Sequence, residues 1–508
     1  MAPLSLSPGR AGLAVAVVVL VAGVFTLNHS LVGGFYDDGL YAGAAIALGK
    51  GMGYVHPHLP SAPAVVHYPP LYPVLLAPLF DAFPVPTAAY LGLVLNLLLS
   101  AASAGIIAAH ALRVRLLGVK APAWLAPACV VAAAVAIPVL TVQSVLFAEP
   151  LFGLLLATAI VVADIAPERS RPLGAAAVAG GLAGLALLTR SIALAAGVGV
   201  PLYLVVSRHR PRSEAVAAAL PVLGTAFAWG AWILAHQRHH DPALAINYGG
   251  YGETVRQAGL AVLWRSIPDL LRPLGAFTLG RLPSPWIYYP FAVAAGVVGL
   301  YGLVLMLRRS AIGFTLVAYF AILALWPVPS DRFLWGVLPW LVLTWVAGAI
   351  ALASRLPRLR VAVLVVWAAV LIGYIEYEVR GAIGQWWAVQ RERISNNFAE
   401  LLPAVATLPE SVVVATDDEA LVWLYTRRTA VPFYLYGYHA GQETEPTAEE
   451  HRRYLERQGV TRVLFSGFGS GSDRELNALL GAYPGWLTIE RAWPDGRALF
   501  RVNRGPPP

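Results

Sequence analysis

The 508-residue chain is 58% hydrophobic and 13% charged, with a mean hydropathy of +0.65, a balance that excludes an ordinary soluble domain and indicates a polytopic membrane protein. Its net charge of +8 is spread over short loops between apolar runs and over the C-terminal tail, so membrane topology accounts for it and no nucleic-acid partner is implied. The single cysteine, Cys129, lies in an apolar segment, which excludes a disulfide framework and a thiolate metal site.

The first apolar run, residues 11–27, is long enough to cross a bilayer and has no small-x-small cleavage pattern close behind it, so it reads as an uncleaved first helix. Further runs at 86–112, 122–140, 150–163, 173–188, 192–206, 215–236, 287–307, 312–326, 333–353 and 361–374 bring the expected count to about eleven transmembrane helices, some of them short. Every second loop between them is basic: Arg113, Arg115 and Lys120; Arg169 and Arg171; Arg208, Arg210 and Arg212; Arg308 and Arg309; Arg355, Arg358 and Arg360. The positive-inside rule makes these loops and the N-terminus cytoplasmic. The alternate loops, which face outward on this reading, are 31–70, the Glu149 turn, the Arg190 turn, the long segment 237–286 and the Asp331-Arg332 turn. An odd helix number also puts residues 376–508 outside, beyond a transmembrane domain of residues 1–375.

From about Glu376 the composition becomes that of a soluble domain. Residues 411–415 and 461–466 read as strands, 418–427 and 447–458 as helices, and 493–496 as the turn of a closing hairpin, giving a small α/β domain. The glycine run 467–471 does not complete a dinucleotide fingerprint, so no nucleotide site is read there.

Candidate site residues gather in the outward loops. Asp37 and Asp38 stand where the first helix leaves the membrane. A carboxylate drawn into hydrocarbon costs roughly 3 kcal/mol, so the pair is expected at the interface, exposed to water. One acid is expected to cap the helix that follows; the other is then placed to act as a general base on something borne by the membrane. In the following segment HYPPLYP, prolines fix the chain as it re-enters the membrane, and His67 and Tyr68 read as interfacial anchors or substrate contacts. Glu149 opens a helix before Pro150, where the macrodipole favours an acid, and faces the same side as the Asp pair. Arg190 interrupts an apolar stretch, and a guanidinium there suits a phosphate held at the interface. Arg332 is of the same kind, its structural alternative being a pair with Asp331. His239-His240-Asp241 reads as a hydrated loop rather than a metal centre, because adjacent histidines seldom converge on one ion without further ligands.

The acidic pair after the first helix, the PPLYPVLLAP re-entry, the AEPLF turn, the GLALLTR turn, the late RFLWGVLPWL helix and the outward α/β tail together resemble the GT-C membrane glycosyltransferases. Bacterial relatives of the dolichyl-phosphate-mannose protein mannosyltransferases and of the lipid A aminoarabinose transferases are the nearest in pattern. The resemblance covers the first 200 residues and the stretch around Arg332. It implies an inverting enzyme of the bacterial cell membrane that takes a sugar from a polyprenyl phosphate carrier on the outer face and passes it to a lipid, glycan or protein hydroxyl, without cofactor or metal. It implies Asp37 as general base, Asp38 as an acceptor-orienting neighbour and Glu149 in the same machinery. The pair here is Asp-Asp where many members have Asp-Glu, and Tyr68 or His67 stands where the aminoarabinose transferases carry a lysine, which leaves the carrier phosphate to Arg190 or another arginine. The alternatives are a metal-dependent oligosaccharyltransferase, which would bind a divalent ion through its acids, and a non-catalytic transporter or scaffold, for which the chain lacks internal repeats.

Overall fold

A computed structural model describes residues 7–503, except 238–240, 250–251, 253–254, 257–258, 260–265, 267–284, 327–330, 436, 440–441 and 468–469. His239 and His240, most of the segment 237–286 and the middle of the glycine run 467–471 lie outside the described residues.

The described chain is mainly helical. Six helical stretches are long and apolar enough to cross a membrane: Val85–Arg113, Glu149–Glu168, Arg212–His236, Pro290–Arg309, Leu338–Arg355 and Pro357–Ala406. A bent pair, Leu125–Ala134 with Ile137–Gln143, forms a seventh candidate, and five shorter apolar helices accompany them. The protein is therefore multi-pass.

The residues form two compact units. One comprises Met1–Leu27, Leu93–Gly230 and Leu260–Ala388. In it, the run expected at 122–140 is broken by a bend of 56°. Pro138 sits in the first turn of the second piece, where its missing N–H costs nothing, and the Glu378 carboxylate accepts the N–H of Ile137 at 2.8 Å. The run expected at 361–374 continues as a helix to Ile383, because Glu376 and Arg380 pair one turn apart at 2.5 Å and keep the charged residues on its surface. Helices Pro285–Arg309 and Leu338–Arg355 meet through Gly302 and Gly348. A Cβ on Gly348 would lie 2.2 Å from the Val298 carbonyl oxygen, so only glycine permits this approach, the small-residue packing that serves helices in lipid.

One buried polar node fixes the helix that carries Glu149. Near its far end, Asp164 receives the Ser310 hydroxyl at 2.5 Å and the Ala311 N–H at 2.7 Å, and pairs with His110 Nε2 at 2.7 Å. A buried carboxylate with three partners is satisfied rather than costly.

The other unit comprises Asn28–Gly92, Ala231–Gly259 and Val389–Pro508. Its sheet has the order β2-β1-β5-β7-β6, with β1 Val413–Thr416, β2 Thr429–Pro432, β5 Arg462–Phe465, β6 Leu487–Ala492 and β7 Ala498–Val502. β1 runs parallel to β2 and β5, while β7 runs antiparallel to β5 and β6. A separate hairpin joins β3 Gly437–His439 to β4 Gln442–Thr444. Phe398, Leu401 and Val405 of helix Trp386–Ala406 pack on Val414, Leu421, Ala430, Leu464 and Leu499.

The expected strands and helices appear within a few residues of their positions, and the turn at 493–496 does close the β6–β7 hairpin, with Trp493 donating to the Arg497 carbonyl at 2.9 Å. Other elements escape the sequence pattern, among them β2, the β3–β4 hairpin and the helices Trp386–Ala406 and Ser470–Ala482. Pro432 disguises β2, which tolerates it because β2 is an edge strand. The glycine run masks the start of helix Ser470–Ala482.

Candidate functional site

The acidic turn is built on backbone that few residues adopt. Gly33 has φ +106, and a Cβ on it would stand 2.7 Å from the Leu421 Cα. Tyr36 has φ 62 and ψ −73, a conformation that costs about 1–3 kcal/mol and persists only when neighbours hold it. Asp38 supplies part of that hold. Its Oδ2 accepts the Gly33 N–H at 2.8 Å and its Oδ1 accepts the Phe35 N–H at 3.0 Å.

Asp38 is buried at 3% exposure, which corrects the expectation that both acids face water. Nor does either acid supply a side-chain cap to helix Asp37–Gly49, whose N-cap position is Tyr36. Burial raises the Asp38 carboxyl to about 6, opposed by the backbone N–H groups of Gly33, Phe35 and Gly39. Those amides offset the burial and favour the charged form.

Asp37 is only partly buried. Its Oδ1 accepts the Tyr68 hydroxyl at 2.5 Å, and Tyr68 is fixed by the Tyr41 ring at 5.0 Å. The structure thus brings Asp37 and Tyr68 together. His67 Nδ1 donates to the Gly249 carbonyl at 2.7 Å, and the Tyr36 hydroxyl donates to the Asn247 carbonyl at 3.0 Å.

Between those two carbonyls stands Tyr248, fully buried, its hydroxyl on Glu419 Oε1 and 2.9 Å from His58 Nε2. Burial pushes the Glu419 carboxyl up to about 8, drives the Tyr248 and Tyr36 hydroxyls well above their ordinary range, and lowers His58 to about 3. Sequence reasoning missed Tyr248, His58 and Glu419. The one available signal was the acid run Asp417-Asp418-Glu419 directly after a strand, read only as a helix start.

In the other unit, the structure joins three predicted residues. Glu149, at the first turn of helix Glu149–Ile165, is 3% exposed. Arg190 Nη1 donates to its Oε1 at 2.5 Å, Arg332 Nε meets the same oxygen, and Arg332 Nη2 donates to Oε2 at 3.2 Å. The Arg190 guanidinium lies 4.6 Å from the Phe333 ring centroid and that of Arg332 3.4 Å from the Phe147 centroid. Arg332 therefore binds Glu149. Planar guanidinium donors stacked on aromatic rings are groups that suit a phosphate. Beside Glu149 runs a crevice lined by Ser103, Gln143, Gly153, Trp335 and Gly336.

Among the described residues, no three His, Cys, Asp or Glu side chains converge as a metal site. The two acids of the pair engage different partners, Asp38 the backbone amides of its own turn and Asp37 the Tyr68 hydroxyl.

No family model and no curated protein matches the chain. Among solved structures it is similar to the oligosaccharyltransferase AglB of Archaeoglobus fulgidus, in complex with an inhibitory peptide and a dolichol-phosphate, with TM-score 0.50 and 12% identity over 89% of this chain and 69% of that one. It is equally similar to the same enzyme tethered to an acceptor peptide containing the NVT sequon, with TM-score 0.50 and 12% identity over 97% and 74%. ArnT of Cupriavidus metallidurans bound to undecaprenyl phosphate aligns with TM-score 0.46 and 14% identity over 96% and 97%. The chain has the fold of the GT-C membrane glycosyltransferases, with several apolar helices and a small C-terminal sheet.

Proposed function

We propose that this GT-C-fold protein transfers a sugar from a polyprenyl-phosphate-linked donor to an acceptor hydroxyl, with inversion, on the outer face of a bacterial cell membrane. The observation that carries the reading is the division of labour in the acidic pair. Asp38 is spent on the amides of Gly33 and Phe35, while the partly buried Asp37 meets a hydroxyl, that of Tyr68.

In the reaction, the acceptor oxygen attacks the anomeric carbon and passes its proton to Asp37. The bond from that carbon to the phosphate oxygen breaks, and its electron pair leaves with the polyprenyl phosphate. The phosphate is already a good leaving group, so the protein needs a base, a cation and positioning. Within their own unit, Arg190 and Arg332 are the guanidiniums suited to a phosphate, and Glu149 orients both. Asp38 shapes the turn that presents Asp37, and residues 376–508 serve as an extracytoplasmic domain.

Purified protein in nanodiscs, incubated with a panel of radiolabelled polyprenyl phosphate sugars, should release polyprenyl phosphate and label a hydroxyl acceptor. Activity that EDTA abolishes and Mg²⁺ or Mn²⁺ restores would instead support the oligosaccharyltransferase reading, which the likeness to AglB favours. The orientation has its own test in a Cys129→Ser background. Cysteines replacing the exposed Met52 and Glu449 should react with an impermeant thiol reagent in intact cells, and one replacing the exposed Ser170 should not; the opposite pattern overturns the topology.

A further inference from the structure

The segment Asn247–Gly249 is fastened at three successive residues. The Asn247 carbonyl accepts from Tyr36, the residue before Asp37, and the Gly249 carbonyl accepts from His67, the residue before Tyr68. Tyr68 in turn holds Asp37. Thus the residue before Asp37 and the residue before Tyr68 are both anchored to one short piece of backbone.

That piece has its own anchor in the C-terminal domain. The Tyr248 side chain reaches Glu419 at the start of helix Glu419–Thr426, in van der Waals reach of His56 and His58. Tyr248 and Glu419 are 0% and 1% exposed. A polar contact so thoroughly shielded from water is worth far more than one at a surface.

We propose that Glu419 and Tyr248 are positioning residues, which tie Asn247–Gly249 to the C-terminal domain and thereby keep in place Tyr36, which precedes Asp37, and His67, which precedes Tyr68. The proposal rests on the reading of Asp37 as the base. Tyr36 supplies the reason the tie is needed, since its positive φ is unfavourable and its hydroxyl is held by the Asn247 carbonyl and by Tyr248.

The charge environment agrees. Glu419 is faced by Asp417 and Asp418 of its own domain, by Tyr248 and by Tyr36, with Tyr454 close by. Burial first and then the neighbouring acid Asp417 raise its carboxyl to about 8; a carboxamide keeps the oxygen that accepts from Tyr248 and a methyl group does not.

The test is hydrogen–deuterium exchange on the full-length protein in nanodiscs, read on peptides covering 241–249 and 33–38, alongside turnover and melting temperature. Tyr248→Phe and Glu419→Ala should speed exchange in both peptides about tenfold or more and lower kcat more than the donor KM, while Glu419→Gln stays within about twofold of the native protein. Unchanged exchange in Tyr248→Phe and Glu419→Ala would overturn the tie. So would Glu419→Gln behaving like Glu419→Ala, or a loss of protection spread evenly over the chain with a collapsed melting temperature. Because exchange needs no substrate, faster exchange in a protein whose native form transfers no sugar would refute the proposed reaction and leave the tie standing.

Discussion

Asp37→Asn should keep expression, melting temperature and donor binding near the native values while turnover falls by about two to four orders of magnitude, the usual worth of a general base. The carboxamide keeps the shape and can still accept the Tyr68 hydroxyl through its oxygen, so the fold loses little. It cannot take the acceptor's proton, so the chemical step loses its base.

Asp38→Asn makes the contrast. An amide group offers one acceptor oxygen where the carboxylate offers two, so either Gly33 or Phe35 is left with its N–H facing an NH₂. An unsatisfied buried donor costs about 1–3 kcal/mol. The expected result is a lowered melting temperature with a milder loss of turnover in the folded fraction. Thermal unfolding in detergent, paired with single-turnover kinetics, separates the two effects. If Asp37→Asn retains most of its turnover, the base is elsewhere.

Glu149→Ala should be among the most destabilising single changes in the transmembrane region. Its carboxylate is 3% exposed and receives both Arg190 and Arg332. Removing it takes a buried carboxylate away from two guanidiniums, for which about 3–5 kcal/mol is the expected cost. Arg190→Met strips Glu149 of one partner and should cost somewhat less, since Arg332 remains. The double variant should lose clearly less than the sum, because each change removes the other's penalty.

On the proposed reading, the same pair of arginines meets the donor. Arg190→Lys keeps the charge but loses the planar fork, so donor KM should rise and recover only part of the way from Arg190→Ala. Additive losses in the cycle would show that the cluster is not a coupled unit. An unchanged KM in both Arg190 variants would remove Arg190 from donor binding.

Much of the chain is readable because its signals are local. Apolar runs are set by the length of hydrocarbon they must cross, and the hairpin turn at 493–496 declares itself through Pro494 and Gly496, whose φ is +87. The acid pair, Glu149 and Arg190 stand out because ionisable residues beside such runs are expensive and therefore rare. Local signals also mislead: Glu376 and Arg380 look like the end of a membrane helix, yet paired side chains one turn apart carry it on.

What each polar residue touches depends on partners far off in sequence. Arg332 meets Glu149 across 183 residues and Tyr248 meets Glu419 across 171; a run of acids or a lone arginine carries no record of such a partner. The two aspartates are chemically identical in the sequence. Only the folded turn distinguishes them, by wrapping the Gly33 and Phe35 amides around Asp38 and leaving Asp37 toward Tyr68. The order of residues suffices to make this a multi-pass membrane protein with a small α/β tail and ionisable groups set beside its spans, because hydrocarbon thickness and side-chain solvation act on each segment separately. Which acid is buried, which arginines share Glu149 and which tyrosine meets Glu419 are settled only in three dimensions, because burial and hydrogen bonding are properties of neighbours that the chain assembles on folding.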